Sequence, residues 1–475
     1  MKKKLIYYVA SEAYPFAQTG GLAEVAGSLP KAIMQANKAY QVCVVMPLYR
    51  IVEQKHSKLL RFLGSTEVTL AWRKVYCGFF VSEFEGVTYY FIDNKYYFDR
   101  DELYGHYDDG ERFAFFSKAI FSLFKYTKEP TIIHSNDWHS ALVNIYLDIL
   151  YKKEGKHLNI KSVFTIHNIQ FQGIFNTSLL EDVLGIDLKY LEILEYNGLI
   201  NLMKGALVTS DLVTTVSPRY AKEIKTMQYA WGLENITRLI PEKLEGILNG
   251  INIDFYDPTK DIYYPYSYLD ITNKQKNKLA LQKQLGLRQD ENIPLMAIIS
   301  RLTTQKGLNL VVDVFGEIMK LPIQVVILGK GDEYYQDKFM ELAKNYLGKV
   351  ASIITFDILL SKQIYAGSDL FLMPSKTEPC GLSQMIACRY GTIPIVRATG
   401  GLFDSIKDYY EQDGNGFVFR DFDAYQMLEK IKQALNLYSE QTKFTALQIK
   451  NMQIDFSWQN SAKEYLEKYA QLLKK

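Results

Sequence analysis

Short apolar runs rich in Val, Ile and aromatic residues alternate along the chain with stretches of helical periodicity. That alternation predicts an α/β protein with parallel sheets. Strands are predicted over residues 5–10, 41–46, 131–134, 162–166 and 212–216, then over 295–300, 324–328, 352–356, 370–373 and 393–396. Amphipathic helices are predicted over residues 111–125 and 277–285, among others. Residues 245–265 carry Asn-Gly and Asp-Pro turn signals between the two strand series and read as a hinge. Two series cannot share one sheet, so the pattern predicts two doubly wound parallel-sheet domains.

Residues with little reason to sit in a core cluster just after these strands. Ser11–Gly21 follows the first strand, and Asn136-Asp137-Trp138-His139 follows the third. His167-Asn168, Ser217-Pro218, Arg301–Gly307, Gly329–Asp332, Glu378 and Gly400-Gly401 occupy equivalent places. Doubly wound sheets bind ligands at the carboxyl ends of their strands. Two such rims facing each other across the hinge make an interdomain cleft.

Composition narrows the chemistry. The chain has 475 residues, 48% hydrophobic and 23% charged, with a net charge of +2. Such a balance gives no general reason to expect nucleic acid or a membrane as partner. Any anion site must be a local cluster. Four cysteines, none in a CxxC spacing, argue against disulfides and zinc and fit a cytoplasmic setting. The apolar run after Lys2–Lys4 is too short for a secretory signal and reads as the first strand.

Glu378 lies between a strand end and a Pro-Cys-Gly turn, a place suited to holding a sugar ring. Gly400-Gly401 and Gly20-Gly21 each open a helix, where backbone N–H groups can meet a phosphate; a glycine pair is also a common structural turn. Arg301 and Lys306 flank a strand-to-helix turn and suit a diphosphate clamp, the alternative being a solvated surface. His134, His139 and His167 match no common zinc spacing. Asp137 could be only a helix cap, and His167-Asn168 could either satisfy buried backbone groups or bond a sugar hydroxyl.

Taken together, these segments resemble the glycogen and starch synthases of bacteria and plants. The likeness runs through Ser-Glu-x-x-Pro-Phe (11–16), Thr-Gly-Gly-Leu-Ala (19–23), Asn-Asp-Trp-His (136–139) and Thr-Ile-His-Asn-Ile-Gln-Phe-Gln-Gly (165–173). It continues through Thr-Val-Ser-Pro-Arg-Tyr-Ala (215–221), Gly-Ile-Leu-Asn-Gly-Ile (246–251) and Ser-Arg-Leu-Thr-Thr-Gln-Lys-Gly (300–307). Ile-Tyr-Ala-Gly-Ser-Asp (364–369), Glu-Pro-Cys-Gly-Leu (378–382) and Phe-Ser-Trp (456–458) complete it.

The resemblance implies the two-domain GT-B fold and transfer of glucose, with retention, from ADP-glucose to an α-1,4-glucan, without metal or cofactor. It implies a glucan-side domain over residues 1–245, a donor-side domain over 246–455, and a helix over 456–475 returning to the first domain. Glu378, Asp137 and His167 would serve catalysis, His167 touching the glucose and Asp137 acting near the reacting bond. Arg301 and Lys306 would neutralise the diphosphate, with Gly20, Gly21, Gly400 and Gly401 approaching it through the backbone and Thr399 also binding the donor. Phe356 would pack the nucleobase. Cys380, Gly381, Leu382 and Ser383 would line the glucose wall, and Gln18 and Asn249 would lie on the donor side.

The sequence departs from the family pattern near this site. Gln18 stands where the family carries a lysine, Glu24 where it has Asp, Asn252 where Asn-Gly-Val-Asp is expected, and Thr377 where an aromatic residue is common. The segment around Trp231-Gly-Leu-Glu-Asn-Ile is also altered. A cation lost beside a diphosphate weakens donor binding by about 1–3 kcal/mol. Two other readings therefore accompany the first: a weakened homologue that binds glucan or nucleotide and regulates a partner synthase, and a synthase using UDP-glucose.

Overall fold

The computed structural model describes residues 3–260, 265–268 and 271–474. They form two compact units, Met1–Asn249 with Trp458–Lys475, and Gly250–Ser457. Of the 245–265 segment, residues 261–264 lie outside the described residues.

The first unit is built on nine strands in the order Leu244–Gly246, Leu212–Thr215, Lys161–Ile166, Ile132–Asn136, Lys4–Val9, Tyr40–Pro47, Val87–Asp93, Arg73–Phe84, Arg61–Leu70. The first seven run parallel. The last two are an antiparallel extension at one edge. Central strands such as Ile132–Asn136 are buried throughout, as strands covered on both faces must be. The edge strand Arg61–Leu70 instead alternates toward solvent, so its polar residues hid it from a search for apolar runs. Its hairpin turn places Ala71 at a φ of 52°.

The helix Trp458–Leu472 belongs to this first unit. It buries Trp458, Ala462, Tyr465 and Tyr469 against the sheet and the helix Gly21–Ala36. Tyr469 and the imidazole Nδ1 of His134 hydrogen-bond at 2.7 Å, and Ser461 Oγ donates to the Leu248 carbonyl at 2.5 Å.

The second unit has six strands, all parallel, in the order Val350–Ile353, Gln324–Leu328, Leu295–Ile299, Leu370–Met373, Ile393–Arg397, Phe417–Phe419. Met296, Ile298, Val325, Ile327, Leu370, Leu372, Ile393 and Ile395 form the centre of its core.

Most boundaries fall within one or two residues of the sequence expectation, and three of the differences have a visible cause. The strand expected over 131–134 runs on to Asn136, because polar Ser135 and Asn136 are satisfied internally. The strand expected over 352–356 is Val350–Ile353; Asp357 then caps the helix Ile358–Gly367 by accepting from the Leu360 N–H, which obliges the chain to turn. The helix expected from residue 277 starts at Thr272. Its Lys274 is buried with its ammonium on the Tyr365 and Ala366 carbonyls and Thr392 Oγ1.

Candidate functional site

In the second unit the strand Leu370–Met373 leads into a loop that the chain fixes from several sides. The Lys376 N–H donates to the Gln305 carbonyl at 2.8 Å, and Gln305 Nε2 to Thr377 Oγ1 at 3.1 Å. Buried Arg397 donates through Nε to the Ser375 carbonyl at 2.7 Å and through Nη2 to that of Lys376. This frame carries Glu378, only 6% exposed. A buried carboxylate needs compensating partners, and Glu378 Oε2 accepts from Lys306 Nζ at 2.6 Å and Ser375 Oγ at 3.0 Å. Lys306 closes a short 3-10 turn, and Gly307 follows at a φ of 71°. Arg301 is exposed and has no ion pair among the described residues. Of the expected clamp, one cation is thus neutralised by Glu378 and one is open.

Gly400 and Gly401 lie against this loop's backbone. A Cβ on Gly400 would stand 1.9 Å from the Glu378 carbonyl oxygen, and one on Gly401 2.1 Å from that of Cys380. The Gly401 N–H donates to the carbonyls of Glu378 and Pro379, each at 3.2 Å. The pair therefore lets two strand-end loops stack, and the Gly401 N–H faces its own chain rather than outward as expected for a phosphate cradle. Gly400→Ala should accordingly cost roughly 2–3 kcal/mol of stability, read by chemical denaturation, and reduce donor binding by displacing Glu378. Thr399 precedes the helix Gly400–Ser405 without a side-chain cap, Cys380 is buried two residues after Glu378, and Gly381 takes a φ of 70°. Gln384 Nε2 ties the Cys380 and Gly381 carbonyls, with Leu382 and Ser383 opening the helix that carries it. Phe356 stands beyond its strand and is 74% exposed, and among the described residues no ring is stacked on it.

In the first unit Asp137 follows the strand Ile132–Asn136 at φ 54°, ψ 176°, a region that side chains rarely adopt. It precedes the helix Trp138–Tyr146 but makes no side-chain cap. Instead Oδ1 accepts the backbone N–H groups of His167, at 2.8 Å, and Asn168, at 3.4 Å. Burial pushes this carboxyl up to about 7, opposed by those two bonds, with the Glu12 charge adding to the rise. His167 Nε2 lies 2.9 Å from Asn136 Oδ1, and burial drives the imidazole down to about 3, so it is neutral.

Glu12 holds the neighbouring glycine loop. It is buried and accepts from the Thr19 N–H at 2.5 Å and Thr19 Oγ1 at 2.8 Å. Desolvation raises its pKa and these bonds lower it. Gly20 caps the helix Gly21–Ala36, Gly21 has open space around it, and Gln18 is exposed. Asn249 is buried with its Oδ1 unpartnered. His134 is engaged by Tyr469 and Thr165, and His139 lies between the rings of Trp138 and Tyr104. Among the described residues no group of three or more His, Cys, Asp or Glu gathers as metal donors.

Within each unit the structure brings most of the expected residues together, and it adds Glu12, Asn136, Ser375 and Arg397 as their supports. Arg397 had a signal, a lone charge ending an apolar strand run. Glu12 and Asn136 stood inside noted motifs, but a side chain that braces a neighbour leaves no spacing of its own.

Residues 5–239 match the model of the starch synthase catalytic domain, and residues 278–449 that of the glycosyl transferases group 1. A glycogen synthase from Geobacillus thermodenitrificans is 46% identical over 99% of this chain and 98% of its own length. One from Lactobacillus acidophilus is 43% identical over 98% and 99%. The solved catalytic domain of starch synthase IV from Arabidopsis thaliana, bound to ADP and acarbose, superposes with a TM-score of 0.91 at 34% identity, each chain covered fully. A sucrose-phosphate synthase from Thermosynechococcus elongatus, 18% identical over 99% of this chain and 100% of its own, gives 0.62 and shares the fold, GT-B. This chain belongs to the glycogen and starch synthase family of glycosyltransferases.

Proposed function

We propose that this chain transfers glucose from ADP-glucose to the non-reducing end of an α-1,4-glucan, with retention of configuration. The observation that carries the reading is the Lys306–Glu378 pair at 2.6 Å, with exposed Arg301, which has no ion pair among the described residues, on the same loop. A departing nucleoside diphosphate develops negative charge, which pre-placed cations stabilise best in a site that excludes water. Arg301 supplies a planar fork and Lys306 a point charge. As Lys306 turns to the diphosphate, Glu378 is released to accept hydroxyls of the glucose, so both ends of the donor replace one internal ion pair. Ser375 and Arg397 hold Glu378 at its height throughout. The reading calls for no metal or cofactor.

By the family resemblance His167 would touch the sugar and Asp137 act near the reacting bond. ADP as the base carrier is supported by the ADP bound to the related starch synthase, and an acceptor glucan by the names of the relatives. Among the described residues no helix is long and apolar enough to cross a membrane.

The test is transfer of labelled glucose onto glycogen from ADP-glucose and from UDP-glucose, by the wild type and Gln18→Lys. We expect transfer from ADP-glucose, and a donor KM lowered roughly fivefold or more by the added cation. Exposed Gln18 in place of a lysine also favours a second reading, a weakened homologue that regulates a partner synthase. Absent transfer by both proteins, with glycogen binding retained, would select it.

A further inference from the structure

Asn136 and Asp137 are consecutive, and both reach His167. Asp137 takes the backbone N–H, whereas Asn136 takes the ring. The orientation of the Asn136 carboxamide is dictated by its surroundings. One end lies 2.9 Å from the Val9 carbonyl and 3.3 Å from that of His134, and carbonyls only accept, so this end must be the NH₂ group. The other end, Oδ1, then faces His167 Nε2 at 2.9 Å and can only accept. Asn136 has no freedom to turn over, since it is fully buried and its own N–H and carbonyl are both engaged by the Ser140 hydroxyl.

The consequence falls on the imidazole. A neutral ring carries one proton, and an acceptor fixed opposite Nε2 places it there. Nδ1 is left with its lone pair, and it has no protein partner among the described residues. Unlike the sealed Nδ1 of His139, it is not a buried unpartnered nitrogen.

We infer that Asn136 is a positioning residue that locks His167 in its Nε2–H tautomer, so that Nδ1 presents a hydrogen-bond acceptor to a hydroxyl of the hexose. The selectivity follows from the polarity of that contact. A hydroxyl donates to Nδ1; the opposite tautomer would offer it an N–H and lose the preset geometry. A site built to accept from a hydroxyl also rejects analogues lacking it, because its lone pair is then left without a partner. This inference rests on the proposed reading that His167 faces the sugar, but the tautomer can be measured without any turnover.

The experiment is a long-range ¹H–¹⁵N correlation spectrum of the full chain at pH 7. It contains only six histidines, and His167 is assigned by the signals lost in His167→Gln. The expected spectrum shows His167 with Nε2 protonated and Nδ1 bare. A protonated Nδ1 in the wild type overturns the proposal, whatever the enzyme does. Asn136→Ala should then give a tautomer mixture and lower kcat about tenfold or more with a smaller change in donor KM. A merely structural asparagine would leave the tautomer unmoved, and that result also overturns it. Should the wild type show the Nε2–H form yet transfer no glucose, the positioning role stands and the proposed function fails.

Discussion

Lys306→Ala should slow glucose transfer by roughly 10²–10³-fold and also destabilise the second unit by about 3 kcal/mol. The two losses have separate causes. Transfer falls because a fixed cation no longer offsets charge on the departing diphosphate. Stability falls because Glu378 stays buried, with Ser375 Oγ as its remaining side-chain partner and no countercharge at 2.6 Å. A buried charge without its partner is costlier than the pair was worth. The double variant Lys306→Ala/Glu378→Gln separates the two. Removing the carboxylate charge should restore most of the stability, while transfer stays at least as low as in the single variant. Denaturant unfolding and initial rates on all four proteins of the cycle provide the test. If Lys306→Ala is as stable as the wild type, the pair is not a structural ion pair. If the double variant regains transfer, Lys306 served only to neutralise Glu378.

That dual use of Lys306 marks where the sequence was legible and where it was not. Strands such as Leu370–Met373 and Ile393–Arg397 announce themselves, because burial on both faces demands continuous apolar residues. The strand-end rule then picks out Asp137, His167, Lys306 and Glu378, each of which follows its strand in the fold. The edge strands between Arg61 and Asp93 escaped, since a half-solvated hairpin mixes polar and apolar residues and its pairing is set by partners rather than by composition. The glycine pairs read either as phosphate cradles or as structural turns, and the need for Gly400 and Gly401 against the backbone of residues 378–380 is a contact between distant segments that no local pattern shows. Phe356 shows the same limit. Its aromatic character was visible, but its place outside the strand depends on the cap supplied by Asp357. Buried polar braces such as Glu12, Asn136 and Arg397 are chosen by the neighbour they must satisfy, and that neighbour is rarely close in the chain.

Asp137→Asn should make the protein more stable than the wild type near neutral pH and no different in acid. The Asp137 carboxyl is held at about 7, mainly by burial, whereas in the unfolded chain it titrates in the ordinary carboxylate range. Folding thus favours the protonated form. The stability this gives is complete below the unfolded pKa, near 4, and is lost as the pH rises through about 7. Asparagine retains Oδ1 for the His167 and Asn168 N–H groups and carries no charge, so its stability lacks this slope. The difference in unfolding free energy between variant and wild type should grow from near zero at about pH 4 to the order of 3 kcal/mol above neutrality. Glu12, also raised by burial, is present in both proteins; its coupling to Asp137 is part of the difference, and the rest of its titration cancels. Transfer should move the opposite way. If the carboxylate acts near the reacting bond, wild-type kcat climbs as Asp137 ionises through about pH 7, and the variant is flat and roughly 10²-fold slower. Urea titrations from pH 4 to 8 decide the first part: a difference that does not vary with pH would mean an ordinary carboxylate. Activity profiles decide the second, since a variant that keeps the wild-type slope would place the titrating group elsewhere. Asparagine matches aspartate in shape at this strained φ of 54°, so charge is the variable under test.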